Sequence, residues 1–188
     1  MPGVGCAGRG INAAVELLQD LKVFEEYKPD FVLYDVLGDV VCGGFAAPLK
    51  AMEGQKVVIV VSEELMALYA ANNIAKAVCA YRYNGARLAG LVMNLRDNHA
   101  DLSPARWLAD TLGTRILAVI PRSRDLRDAE YENRTILDTK PDGEIAGLFR
   151  ALAEHLWTLD PASCPDPTPL DSDTFLREAG ARVRAFGD

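Results

Sequence analysis

The chain has 188 residues, 49% of them hydrophobic and 25% charged, a composition that suits one globular domain and excludes a disordered chain. Its net charge of -7 and pI of about 4.9, with no long Lys/Arg run, argue against nucleic acid as a partner. No apolar run approaches the roughly 20 residues that span a bilayer. Met1 to Gly5 has neither the basic nor the apolar region of a signal peptide, so a cytoplasmic protein with no membrane partner is expected. In that compartment the four cysteines are expected to be metal ligands, reactive thiols or core residues rather than disulfides.

Gly10 to Tyr27 reads as a helix, with Ile11, Val15, Leu18 and Leu21 recurring at helical spacing and Pro29 closing the loop behind it. Asp30 to Val36 is a nearly continuous apolar run and predicts a strand buried on both faces. Lys56 to Val61, rich in valine, is the clearest strand, and Glu63 to Tyr81 a helix after it. Arg87 to Asn94 and Thr114 to Pro121 predict two more strands. The helix between them, Ser103 to Leu112, opens on Ser103 as a capping hydroxyl just ahead of Pro104. Asp142 to Leu159 is an amphipathic helix with Ile145, Leu148, Phe149, Leu152 and Leu156 on one face. Pro161 to Asp171 holds four prolines in eleven residues and reads as an extended surface linker, with a last short helix over Ser172 to Phe186.

Strands alternating with helices predict an α/β fold, a doubly wound, mostly parallel sheet with helices on both faces. The expected division is one domain over residues 1–160 and a Pro-rich linker with a C-terminal tail over 161–188. Ligands of such sheets bind beyond the carboxyl ends of the strands, which picks out Asp35 to Gly44, Ser62 to Leu65, Asn94 to Asp97 and Pro121 to Asp125.

Two cysteines lie in glycine-rich settings, Gly3-Val4-Gly5-Cys6-Ala7-Gly8-Arg9-Gly10 and Asp39-Val40-Val41-Cys42-Gly43-Gly44. Cys6 stands where a helix begins, and backbone N–H groups at a helix start favour a thiolate. Glycines beside Cys42 let the backbone approach a cluster and aim N–H groups at its sulfurs. A [4Fe–4S] cluster needs four thiolates, and two per chain become four across a twofold axis. An isolated cysteine is more often a small core residue, and the flanking glycines are what set these two apart. Cys79, on the apolar side of its helix, reads as core, and Cys164, in the Pro-rich stretch, as a bystander. Zinc is not expected, because no C-x-x-C spacing exists and His99 and His155 stand outside any cysteine cluster.

Gly3-x-x-x-x-Gly8-Arg9-Gly10 misses the P-loop signature: arginine replaces lysine, Gly10 offers no hydroxyl for Mg²⁺, and a P-loop is expected to follow a strand, whereas two residues precede Gly3 here. Asp35-x-x-Gly38 is a better nucleotide signal. An Asp at a strand end can hold the Mg²⁺ shell, a following Gly can let the backbone sense a γ-phosphate, and Asp39 could orient a water as general base. An Asp in an ordinary strand-end turn is the competing reading of that pattern.

Three blocks, Pro2 to Gly10, Tyr34 to Phe45 and Tyr69-Ala-Ala-Asn-Asn-Ile-Ala-Lys76, closely resemble the nitrogenase iron protein family, and the resemblance extends over residues 2–160. That family includes the reductase subunits of nitrogenase and of the protochlorophyllide and chlorophyllide reductases. The resemblance implies an oxidoreductase component: a homodimer with one [4Fe–4S] cluster between subunits, ligated by Cys6 and Cys42 of each. It implies that MgATP drives single-electron transfer to a catalytic partner protein, with Asp35, Gly38 and Asp39 as the switch coupling nucleotide to cluster. Asn94 and Arg122 match positions near the nucleotide. Arg9 matches an arginine beside the cluster on the docking face, a site of regulatory ADP-ribosylation in some members. The family's P-loop and first strand lie on a segment ahead of the position matching Met1, so the resemblance implies a P-loop NTPase-like fold missing both.

Three readings compete. One is an ATP-coupled, cluster-bearing reductase component, of nitrogenase or chlorophyllide-reductase type. Another is a remnant that keeps the dimer and cluster half but does not hydrolyse ATP. The last is a partitioning ATPase of the ParA/MinD type, which shares the sheet but leaves Cys6 and Cys42 unexplained and needs a P-loop too.

Overall fold

The fold is described from a computed structural model, which covers residues 6–36, 38, 46–51 and 55–185, with backbone alone at 6–9, 46, 47, 51 and 183–185. Among the described residues its centre is a parallel sheet of three strands in the order β1 (Lys56–Val61), β2 (Arg87–Asn94) and β3 (Ile116–Ile120). Parallel neighbours need crossovers, and helices supply them. α4 (Leu65–Ala80) joins β1 to β2, and α5 (Ser103–Leu112) joins β2 to β3. Ahead of the sheet lie α1 (Cys6–Asp20), α2 (Val23–Tyr27) and α3 (Ala46–Ala51). After it come α6 (Arg124–Tyr131), α7 (Ile136–Thr139), α8 (Glu144–Thr158) and α9 (Ser172–Ala185).

The central strand decides the layering. Leu88, Leu91 and Met93 of β2 are buried on one face with Leu68, Ala71 and Val78 of α4, Leu108 and Leu112 of α5, and Phe175 and Ala179 of α9. Ala89 points the other way, where it meets Val58, Leu117, and Leu156 and Leu159 at the end of α8. A strand covered on both faces reads as a continuous apolar run, as Leu88 to Met93 does. The expected α/β architecture, a parallel sheet with helices around it, is therefore the architecture observed.

Gly90 of β2 packs tightly against β3. The β1–β2 and β2–β3 registers both shift beside it, at Val57/Val58 and Leu91/Val92. A Cβ on Gly90 would lie 2.6 Å from Leu117 Cγ and 2.8 Å from the Arg115 carbonyl oxygen. The side chain could move but the carbonyl is fixed by its bond from the Leu91 N–H, 2.9 Å. Gly90→Ala is expected to destabilise the fold by about 1–3 kcal/mol, read as a lowered urea midpoint with unchanged slope. A midpoint equal to that of the parent would contradict this packing.

Several expected elements differ. The first helix is broken at Leu21-Lys22, where Lys22 adopts a left-handed conformation (φ 51°), so α1 and α2 replace one continuous helix. Residues 31–36 form no regular element and join no ladder among the described residues. Phe31, Val32 and Leu33 are 51%, 38% and 81% exposed, so this is not the doubly buried strand that its composition predicts. A strand needs a ladder partner as well as apolar side chains, and this run pairs with none among the described residues. Ser103 is the first residue of α5 rather than its cap. Leu102 takes the cap position, and Ser103 donates from both its N–H (2.9 Å) and its hydroxyl (2.7 Å) to Asp101 Oδ1.

The Pro-rich stretch lies against the body of the protein. Asn72, fully buried in α4, donates from Nδ2 to the Leu170 carbonyl (2.8 Å) and accepts the Leu170 N–H at Oδ1 (2.9 Å). The Thr168 N–H donates to the Leu112 carbonyl (3.2 Å), and the Cys79 thiol donates to the Pro167 carbonyl (3.0 Å). A segment without a repeating ladder is thus held by side-chain and backbone bonds, two of which satisfy the buried Asn72 amide.

Candidate functional site

The carboxyl ends of β2 and β3 open into a cleft of about 770 Å³. Asn94 is the last residue of β2 and Arg122 follows β3 by two positions, so the sheet itself brings these two expected residues to one wall. Asn98 ties the two strand ends together. Its Nδ2 donates to the Arg122 carbonyl (2.9 Å) and its Oδ1 accepts the Arg122 N–H (2.7 Å). Arg122 Nη1 donates to the Arg96 carbonyl at 3.3 Å.

Glu63, just beyond β1, braces the same region. Its carboxylate accepts the N–H groups of Arg96 (3.1 and 3.2 Å) and Asp97 (2.9 Å). Partial burial raises its pKa, but the backbone N–H donors of Glu63 itself, Arg96 and Asp97 outweigh it and hold the carboxyl below its ordinary value. Glu64 pairs with Arg96 at 3.0 Å, an exposed contact that fixes orientation more than it stabilises.

Charge gives the cleft its character. Arg96, Arg122, Arg124 and Arg127 line it against Asp97 and Glu130, a local positive excess in a chain of net charge -7. α6 begins at its edge, capped by Ser123, whose Oγ accepts the Asp125 N–H at 3.1 Å. A concave cationic wall beyond the carboxyl ends of parallel strands suits an anionic ligand. Sequence reasoning named Asn94 and Arg122 but not Arg96, Arg124 or Arg127. Their sequence signal, arginines two to seven residues beyond two strand ends, reads equally as a solvated surface until the strands are placed side by side.

The other expected site residues are placed elsewhere or fall outside the described residues. Asp35 is exposed on the 31–36 segment. Gly38 sits against α4, where an added Cβ would meet Ile74 Cδ1 at 3.5 Å, ordinary van der Waals contact. Packing therefore does not demand glycine at 38. Neither residue lines the cationic cleft. Asp39 and Cys42 lie outside the described residues. Cys6 and Arg9 are described by backbone only, and Cys6 is the first residue of the fifteen-residue α1. That position suits a thiolate ligand, because the first N–H groups of a helix have no partner within it and carry partial positive charge. The two described thiols do not suit one. Cys79 is half-buried and bonded to Pro167, and burial, aided by Asp166, pushes its pKa up. Cys164 is buried beside Ala89 and Leu159. Among the described residues no three His, Cys, Asp or Glu are grouped to hold a metal, and no helix is long and apolar enough to cross a membrane.

The family described as 4Fe-4S iron sulfur cluster binding proteins, NifH/frxC family, matches residues 1–178. A protein named nitrogenase iron protein 2 from Methanothermobacter thermautotrophicus is 42% identical over 174 residues, 93% of this chain and 63% of its own length. One of the same name from Methanothermococcus thermolithotrophicus is 38% identical over 167 residues, 88% of this chain and 57% of its own length. The chain thus spans about three-fifths of the curated relatives it matches. Among solved structures, the cell division ATPase MinD of Pyrococcus furiosus superposes with a TM-score of 0.57 at 25% identity, over 79% of this chain and 57% of that one.

Proposed function

Because this chain belongs to the NifH/frxC family of 4Fe-4S iron–sulfur cluster binding proteins, we propose that it serves as an iron-protein reductase component. Two copies form a homodimer in which Cys6 and Cys42 of each supply four thiolates. When bound, a [4Fe–4S] cluster supplies one-electron transfer, here to a catalytic partner protein of nitrogenase-like type. Cys6, heading α1, has its thiolate favoured by the helix start. Asp35, Gly38 and Asp39 form the segment that responds to MgATP, and Cys42 lies only three residues beyond Asp39, so a shift there reaches the cysteine directly. Asn94 and Arg122 hold the nucleotide at the cationic cleft, with Asp39 orienting water for hydrolysis. Arg9 belongs to the docking face, and all of this takes place in the cytoplasm.

The observation that carries this reading is the family match over residues 1–178, which includes both glycine-flanked cysteines. Anaerobic reconstitution followed by iron and sulfide analysis and EPR tests it. About two irons per chain, in a dimeric species with one four-iron signal, is the expected result. A colourless monomer sinks the proposal.

A second reading keeps the homodimer and the cluster without ATP hydrolysis. A chain that dimerises and binds iron but shows no MgATP turnover would be a remnant keeping the cluster half alone. Turnover that depends on Asp39 would exclude it.

A further inference from the structure

Two side chains tie the three strand ends together beside the cationic cleft. Glu63 stands two residues beyond β1, and its carboxylate accepts the N–H groups of Arg96 (3.1 and 3.2 Å) and Asp97 (2.9 Å) in the loop after β2. Asn98, in the same loop, spans the next gap. Its amide closes on both backbone groups of Arg122 beyond β3, at 2.9 and 2.7 Å. Arg122 Nη1 returns a bond to the Arg96 carbonyl at 3.3 Å, so both ties meet in one loop. The path from Glu63 to Arg122 crosses the carboxyl edge of β1, β2 and β3 in two steps.

Glu63 does not line the cleft, whereas Arg96, Asp97, Asn98 and Arg122 all do. Its charge and its hydrogen bonds act on an anion there with opposite signs. As a negative charge behind a cationic wall, it repels the anion. As a charged acceptor for two successive N–H groups, it fixes the loop that presents Arg96 and, through Asn98, Arg122. Solvent decides which wins. Glu63 is half-buried and both arginines are exposed, so water and salt screen the repulsion, while the hydrogen bonds act at contact. We propose that Glu63 is a positioning residue: it strengthens the binding of an anionic ligand in the cleft, against the sign of its own charge, by holding residues 96–98 and Arg122 in place. Glu64 makes a useful contrast. It bonds the Arg96 guanidinium (3.0 and 3.1 Å) and the Ser62 hydroxyl (3.3 Å), side chains rather than the loop backbone. The proposal rests on the functional reading above only for the identity of the anion, a nucleotide.

The test measures MgATP binding to the full chain by calorimetry, and amide exchange residue by residue in the chain without nucleotide. Glu63→Ala is expected to weaken MgATP about tenfold or more. It should also speed exchange at Arg96, Asp97 and Arg122 while residues 88–93 keep the parent rate. Glu63→Gln loses the charge and keeps an acceptor oxygen, so it should recover most of both effects. Glu64→Gln removes an equal charge one residue away and should not weaken binding. Tighter MgATP binding in Glu63→Ala overturns the proposal, because charge would then be the whole effect. Parent-like exchange at Arg122, no recovery in Glu63→Gln, or equal weakening in Glu64→Gln overturns it too. A parent chain that takes up no MgATP refutes the nucleotide reading instead, and exchange at Arg122 in Glu63→Ala still decides whether Glu63 holds the wall.

Discussion

Serine at Cys6 or at Cys42 is expected to reduce bound iron from about two atoms per chain to near zero, while serine at Cys79 or Cys164 leaves the iron content unchanged. The asymmetry follows from what surrounds each thiol. A ligand must be a thiolate, and Cys6 stands at the positive end of α1. Cys79 is in the opposite situation, its thiol donating to a carbonyl and its ionised form disfavoured by burial and by Asp166. Cys164 is packed as a small apolar residue between Ala89 and Leu159. Serine keeps nearly the same shape and bonds iron far more weakly than sulfur, so the four substitutions separate ligation from packing. Iron retained in Cys6→Ser or Cys42→Ser, measured on dimeric protein prepared without oxygen, would refute the ligand assignment. A loss of iron in Cys79→Ser with the fold intact by circular dichroism would refute the exclusion of Cys79.

The strands and helices with strong apolar periodicity were legible in the sequence. Arg87 to Asn94 and Ser103 to Leu112 have the observed limits, and the helices after β1 and at Asp142 to Leu159 shrink by one or two residues at each end. α6 and α7 were not legible, because Arg124 to Tyr131 buries only Ala129 and so has almost no apolar stripe. Their local signals were present all the same, in the Ser123 cap and the reciprocal Thr135–Asp138 capping box. Residues 31–36 show the opposite failure. Composition reports that a segment prefers burial, and says nothing of whether a pairing edge is there. At the site, Asn94 and Arg122 were reached by resemblance, whereas the arginines around them become a cluster only when two strand ends separated by 26 residues lie side by side, as the Leu95 N–H to Ile120 carbonyl bond (2.9 Å) shows. The placement of Asp39 and Cys42 lies outside the described residues, and their assignment rests on the family.

Phe175→Ala is expected to cost about 3–5 kcal/mol, the range for emptying a large aromatic site in a core. Phe175 is fully buried, and its ring lies 5.5 Å from both the Tyr69 and Trp107 rings at steep angles. Such contacts add to the area term. The ring is also the end of a longer attachment. Leu170 is clamped by Asn72, the Tyr69 hydroxyl donates to Ser172 Oγ at 3.0 Å, and the Arg182 guanidinium sits over Trp107 at 4.7 Å. Because the hydrogen bonds fix backbone that enters α9, losing the ring should free that helix before the sheet unfolds. The expected signature is amide exchange that rises first over 172–182, together with a melting temperature lower by roughly 6–20 °C for a chain of this size. Asn72→Ala, which strands both Leu170 backbone groups, should release the same helix at a smaller cost of about 2–4 kcal/mol, because buried amides lose partners without a cavity of comparable size. If Phe175→Ala melts within a degree or two of the parent, or if exchange rises uniformly across β2 and α9 together, residues 161–182 are not the separately releasable brace that these contacts describe.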